Sequence, residues 1–384
     1  MNSKERVMNA LDRQPVDKIP LGLYLVDNDT ISKVIGRPTF LRNPPAYWPA
    51  IWEGRRDEVA ESMKRDLVDL FRKLDCVDLL TFKEAQILPP RGRPEEEPPK
   101  RVDDTTFADS KGNVYKISPE SNGMTQLQSA EKAPEPDSYA EEMFADMTLP
   151  ERPDESCFEL LDHLIANFKH DRFIAGYTSG ITAMTMLGGM EKGLMTLALQ
   201  PEVVMACNRQ KVHRQNYLDQ FYIRKGVDGV HMEQDFGGTD APLVSPDMFR
   251  ELCAPFMKER IANVKKFVPK VLFHSCGNTM PLMDMILDAG IDAYESIQTN
   301  AKEISVRALA EKYGKRVCVW GAIPLEVLIT GTPEDTRKAV RQNIADAEKA
   351  EGFILGPSHS IAFGTKYENF MAMLDEFDKL RNRI

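Results

Sequence analysis

The sequence predicts an α/β protein, a (β/α)8 barrel of the TIM type with an N-terminal helical extension and one insertion between the second and third strands. Three observations lead there. Eight short apolar runs of strand character are spread along the 384 residues, and amphipathic helical patterns separate most of them, an alternation that implies a parallel sheet. Eight such units are the number that closes into a ring. The residues that end these runs are unusually rich in acids, histidine and cysteine, and barrel enzymes keep their chemistry at the carboxyl ends of the strands.

Residues 1–14 read as a charged amphipathic helix with Val7, Met8, Ala10 and Leu11 on one side. The first strand, 19–25, runs into Asp27 and Asn28. A helical pattern over 57–74 leads to the second strand, 77–82, which ends at Lys83 and Glu84. Some ninety residues then intervene, too many for a plain crossover. Residues 84–150 are therefore read as an inserted lid within a single domain spanning 1–384. They hold a Pro/Glu/Arg-rich solvated loop over 89–100 and a hairpin, in which 105–108 and 114–117 flank the turn Ser110-Lys111-Gly112-Asn113.

The third strand, 172–178, ends at Tyr177 and Thr178, and a helix over 193–225 follows. The fourth, 230–235, ends at Glu233 and Asp235, with His231 deeper on the same side and read as a hydrogen-bonded core histidine. A helix over 245–267 begins at Ser245-Pro246, a capping hydroxyl before a first-turn proline. The fifth strand, 271–276, delivers His274 and Cys276 and stops at a Gly277-Asn278 turn. Beyond a helix at 281–289 the sixth strand, 292–298, offers Glu295 and Gln298, and a helix at 304–312 precedes the seventh, 316–321, with core Cys318 and then Trp320. Thr332-Pro333 opens a helix over 332–350, the eighth strand at 352–356 leads to Ser358-His359-Ser360, and a helix at 367–383 follows.

Composition narrows the class of function. An apolar fraction of 42% with 28% charged residues is that of a soluble globular chain, and a net charge of −10 with interspersed signs argues against a nucleic-acid partner. No apolar run reaches membrane-spanning length. Six cysteines without a Cys-x-x-Cys pair fit reduced thiols in the cytoplasm. A homodimer is the default assembly.

On a strand, residues two apart face the same way, so the His274 imidazole and the Cys276 thiol project together. That donor pair suits Zn(II); a core thiol beside a hydrogen-bonded histidine is the competing reading. Glu233 and Asp235 likewise share a side, as metal ligands, proton carriers or substrate anchors. His359 stands where it would close a coordination sphere, and it reads equally as a loop histidine bonded to a carbonyl. Asp27, Tyr177, Gln298 and Trp320 are the expected substrate-facing residues at the same rim.

Jointly, several segments bring a family into view. They are Lys4-Glu5-Arg6-Val7 with Ala10-Leu11, Val16-Asp17-Lys18-Ile19-Pro20, Ser245-Pro246 with Phe249, Phe273-His274-Ser275-Cys276-Gly277-Asn278, Gly331-Thr332-Pro333, and Pro357-Ser358-His359-Ser360-Ile361 with Glu368-Asn369. Over nearly its whole length the chain resembles the uroporphyrinogen decarboxylase superfamily, which includes porphyrinogen decarboxylases and zinc-dependent, corrinoid-linked methyltransferases. The decarboxylases' Arg-Gln-Ala-Gly-Arg signature after the first strand is replaced here by Gly22-Leu23-Tyr24-Leu25-Val26-Asp27-Asn28. A substrate with many carboxylates needs paired Arg or Lys, and this rim is acidic and soft.

The resemblance therefore implies a methyltransferase that moves a methyl group between a small donor, of the methoxylated-aromatic, methylamine or methanol type, and a corrinoid protein or thiol acceptor. His274 and Cys276 match the family's first two zinc ligands, and where a cysteine is commonly the third this chain has His359, with Glu233 as the other candidate. Asp-x-His-x-x-Gly, the cobalamin motif, does not occur, so a corrinoid would arrive on a partner protein. The alternatives are a decarboxylase-type lyase acting on a tetrapyrrole, and a barrel that binds a corrinoid or its carrier protein without turnover.

Overall fold

The computed structural model describes residues 1–92, 97–131 and 134–382. Residues 93–96 of the expected solvated loop, 132–133 of the insertion and 383 of the last expected helix lie outside the described residues. The central element is a curled sheet of seven parallel strands paired in chain order: β1 (Leu79–Thr81), β2 (Phe173–Gly176), β3 (Gly229–Glu233), β4 (Lys270–His274), β5 (Ala293–Glu295), β6 (Cys318–Trp320) and β7 (Phe353–Ile354). This is an α/β architecture consistent with a TIM-like barrel. Its strands are short because only the stretch buried on both faces pairs regularly; every residue of β2 and β4 is buried.

The segment at 19–25 is not a regular strand. It touches both edges of the sheet through single parallel bridges, Gly22 to Leu79 and Leu21 to Leu355. Pro20 has no N–H to donate, and the Gly22 carbonyl accepts the Trp320 indole N–H at 3.1 Å instead of extending a ladder. A Cβ on Gly22 would lie 2.9 Å from the same indole, so this approach requires glycine.

Inward side chains of the sheet form one cluster of Leu79, Phe173, Ala175, Leu272, Ala293, Cys318, Trp320 and Ile354. Val7, Ala10 and Leu11 from the helix Ser3–Leu11 join it, so the N-terminal helix plugs the amino end of the sheet. Each fully buried Leu, Ile, Val or Phe among them contributes roughly 1.5–3 kcal/mol. Arg6 on that helix donates to Asp17 at 2.8 Å and to Asp78 at 2.5 Å, and Arg381 donates to the other Asp78 oxygen at 2.6 Å. Larger clusters pack the surrounding helices against the outer faces.

The helix expected over 193–225 is two, Met190–Leu199 and Pro201–Tyr222. Pro201 cannot continue the first and takes the opening position of the second. The helix over 245–267 begins as a single turn, Pro246–Met248, passes through a π turn, Phe249–Cys253, and continues as Ala254–Val264. Sequence periodicity missed the short helices Asn28–Ile35, Pro44–Trp52, Glu159–Phe168 and Leu325–Thr330.

Between β1 and β2, the expected hairpin forms with Thr106–Ala108 antiparallel to Val114–Ser118, and flanking strands extend it to four. Asp109 receives the N–H groups of Lys111 and Asn113, while Gly112 takes φ +94°. Trp52 packs its ring 4.9 Å from Phe107 and 5.6 Å from Tyr115, and Asn122 donates to the Arg42 carbonyl at 2.9 Å. These contacts attach the four-stranded sheet to the helix Pro44–Trp52 and the residues before it.

Candidate metal centre

The carboxyl ends of β3, β4 and β5 converge. His274 is the last residue of β4, Cys276 lies two beyond it, and Asp235 lies two beyond the end of β3. Their ligand atoms, a ring nitrogen, the sulfur and a carboxylate oxygen, all lie within 4.8 Å of one another. Asp235 Oδ1 accepts the Cys276 N–H at 3.0 Å and stands 3.7 Å from His274 Nε2.

The loops that carry these residues are locked together by backbone contact. Gly277 has φ +81°, and a Cβ there would lie 2.4 Å from the Gly237 carbonyl carbon. Asn278 donates its N–H to the Gly238 carbonyl at 2.7 Å, and Ser275 Oγ accepts the Phe236 N–H at 3.0 Å. A glycine is required on both sides of this contact.

Glu295, the last residue of β5 and fully buried, is hydrogen-bonded to His274 Nδ1. That bond leaves Nε2 as the nitrogen facing Asp235 and Cys276. Burial alone would raise the Glu295 carboxyl, but the charge on His274, its hydrogen bond and the nearby His231 outweigh it and hold the group at about 2. His274 correspondingly sits above its ordinary value: burial lowers it, and the Glu295 charge and hydrogen bond reverse the direction. Below them His231 is buried, as the sequence predicts, with Nε2 3.6 Å from Glu295 and its ring against Tyr24, Phe82 and Trp320. Its nitrogens have no hydrogen-bond partner, a departure from the hydrogen-bonded core histidine expected, and burial lowers its pKa.

Tyr24 stacks on the His274 ring at 4.6 Å and donates its hydroxyl to Glu233 at 2.6 Å. Glu233 also pairs with Lys83. Burial opposes ionisation of Glu233, but the Lys83 charge and the bonds from Lys83 and Tyr24 bring it down to about 2. It stays a carboxylate at neutral pH and is occupied by its own neighbours. The Cys276 thiol is pushed up to about 12, first by burial and then by Asp235. A cation bound among these three groups would take the Nε2 lone pair of neutral His274 and favour the Cys276 thiolate. The donor set, one imidazole, one thiol and one carboxylate, is of the type that zinc takes.

His359 lies at the margin of this group, its ring 5.4 Å from that of His274, with Nδ1 3.1 Å from Ser360 Oγ. Gln298 is also close, its Oε1 accepting the Gly277 N–H at 3.0 Å. Three other expected residues have separate engagements. The Asp27 carboxylate accepts from Arg42 at 3.4 Å and from the Phe363 N–H at 3.0 Å. Tyr177 donates towards the Phe82 and Ala85 carbonyls. Trp320 is fully buried. Tyr24 and the Glu295 bond were not anticipated. Alternation along 22–26 carried the signal for Tyr24, since Gly22 and Tyr24 share the inward side, against Trp320 and His274.

A family model described as uroporphyrinogen decarboxylase (URO-D) matches residues 119–380. Among solved structures, a methyltransferase from Methanosarcina mazei matches with a TM-score of 0.64 and 16% identity, covering 99% of each chain. A bacterial Ig-like domain containing GH10 xylanase from termite gut matches at a TM-score of 0.35 and 8% identity, over 62% of this chain and 69% of that one. No curated protein matches in sequence.

Proposed function

Because the chain belongs to the uroporphyrinogen decarboxylase family, with more than half its length matched, we propose that it is a zinc-dependent methyltransferase on a (β/α)8 barrel whose first stave is the bridged segment at 19–25. It moves a methyl group between a small methylated substrate and a corrinoid protein or thiol acceptor. The observation that carries this reading is the convergence of Asp235, His274 and Cys276, a ligand set that a metal-free decarboxylation does not need. Shared fold with the Methanosarcina mazei methyltransferase supports it.

In this reading zinc is held by His274, Cys276 and Asp235, with His359 adjacent to the remaining position. Bound zinc supplies Lewis acidity, lowering the pKa of an acceptor thiol or drawing charge from a leaving group. The chain's own residues prepare the site. Glu295 fixes the His274 tautomer and ring, as a carboxylate behind a ligating histidine does. Tyr24 covers one face of that ring. Lys83 and Tyr24 keep Glu233 ionised and occupied, so Glu233 positions these two groups rather than delivering a proton. Gln298 faces the substrate, while Asp27, Tyr177 and Trp320 shape the surrounding wall. The inserted sheet, anchored through Trp52, acts as a lid over the mouth.

Metal content by inductively coupled plasma mass spectrometry tests the reading, on the wild type and on Cys276→Ser. About one zinc per chain, lost in the variant, followed by methylation of cob(I)alamin from methylated donors, is the expected result. A wild type that binds no zinc after incubation with it would refute the reading, and CO2 release from uroporphyrinogen would then favour the lyase.

A further inference from the structure

Beside the triad lies a cavity of about 160 Å3, bounded by the loops that follow β5 and β7 and by the start of the helix Leu325–Thr330, and open to solvent past the exposed Thr299, Asn300 and Glu326. It adjoins the metal centre on two sides. Gln298 reaches Gly277, the neighbour of Cys276, and the His359 ring stands 5.4 Å from His274. A directed chain of side-chain amides runs outward from there. Gln298 Nε2 donates to Asn300 Oδ1 at 2.8 Å, and Asn300 Nδ2 donates to Glu326 Oε1 at 3.0 Å. The chain ends on a carboxylate. Among the described residues that line the cavity there is no lysine or arginine, and no described lysine or arginine forms an ion pair with Glu326.

Lone pairs therefore remain on this wall beside the Glu326 carboxylate. The Ser358 carbonyl accepts from Ser296, Ser358 Oγ accepts the Leu325 N–H, and Gln298 Oε1 retains a second lone pair. An anion placed here would face the Glu326 carboxylate with no described lysine or arginine on the wall to pair it. An ammonium group brings donors and charge to match the wall. The volume suits a group of a few heavy atoms, roughly five waters' worth at about 30 Å3 each.

Resting on the methyltransferase reading, we infer that this cavity binds the ammonium end of a small amine whose other end carries the reacting sulfur or heteroatom to Asp235, His274 and Cys276. Glu326 is its charge-selecting residue. The lid and the rim select on size, and the cavity selects on sign.

Isothermal titration of the zinc-loaded chain with 2-aminoethanethiol, 2-mercaptoethanol and 3-mercaptopropionate tests this, because the three share a thiol and differ in the charge of the tail. The ammonium thiol should bind tightest, by roughly tenfold over the carboxylate for one partly screened charge contact. Glu326→Gln, with its fold checked by circular dichroism, should remove that gap while leaving 2-mercaptoethanol unaffected. Equal affinities, a preference for 3-mercaptopropionate, or a gap that survives in Glu326→Gln would overturn the inference while zinc binding still supports the function. If the chain takes up no zinc, the function fails separately. The metal-free chain titrated with ethylammonium and propionate then decides the cavity: a Glu326-dependent preference for ethylammonium supports the inference, and its absence overturns it.

Discussion

Glu84 stands just past β1, is 2% exposed and accepts the Val26 N–H at 2.9 Å. Burial pushes its carboxyl from an ordinary 4.5 up to about 7, against the backbone hydrogen bonds that favour ionisation. The folded state thus holds this proton more tightly than the unfolded chain. Between pH 4.5 and 7 the unfolded chain has released it and the folded chain has not, so the contribution to stability falls as pH rises and levels off above 7. A separation of about 2.5 between the two values corresponds to roughly 3 kcal/mol. Glu84→Gln keeps an oxygen for the Val26 N–H and cannot ionise. At pH 8 the variant should be more stable than wild type by up to about 3 kcal/mol, and near pH 4.5 the two should agree within about 1 kcal/mol. Urea unfolding followed by circular dichroism, at pH 5 and pH 8 on both proteins, measures the difference of differences. A gap between the two proteins that does not change with pH would refute the reasoning.

Glu295→Gln removes the carboxylate behind His274, and zinc affinity measured by chelator competition should fall 10- to 100-fold, roughly the effect of losing such a partner. Gly277→Ala places a methyl against the Gly237 backbone at 2.4 Å, so the turn beyond Cys276 must shift; zinc stoichiometry should drop with only partial loss of thermal stability, and full zinc binding would contradict the contact. Asp219 and Arg260 pair at 2.7 Å with both side chains fully buried. Asp219→Ala strands that guanidinium and should cost about 3–5 kcal/mol in urea unfolding, a figure an unchanged midpoint would exclude.

Much of the site was legible because strand alternation is local. His274 ends β4 and Cys276 lies two beyond it, and the spacing of two still brings them side by side. Asp235 was read as sharing a side with Glu233, yet the two diverge: Glu233 ends its strand against Tyr24 and Lys83, while Asp235 lies beyond it in the loop that reaches Cys276. Past a strand's end alternation stops being a rule: it holds for Cys276 and fails for Asp235. The bond between Glu295 and His274 joins residues 21 apart and depends on the register of β4 against β5, which no single segment encodes. Helix boundaries erred for a related reason. The 193–225 pattern is continuous in polarity and is broken by Pro201, and the short helix Pro44–Trp52 is too apolar all round to show a periodic face. The irregular segment at 19–25 reflects the Trp320 indole, a distant side chain that claims the Gly22 carbonyl.

The charged cluster at the plugged end of the sheet gathers Arg6, Asp17, Asp78 and Arg381 on shared hydrogen bonds. Asp78 gives one oxygen to each arginine, so the cluster is complete only when residues separated by almost four hundred positions are present together. During synthesis the ribosome delivers residue 381 long after residue 6, and until then Asp78 has only Arg6 of its two arginine partners. This end of the sheet is thus completed late, by the segment that follows the helix Tyr367–Leu380, which makes its assembly a matter of order in time as well as of contact.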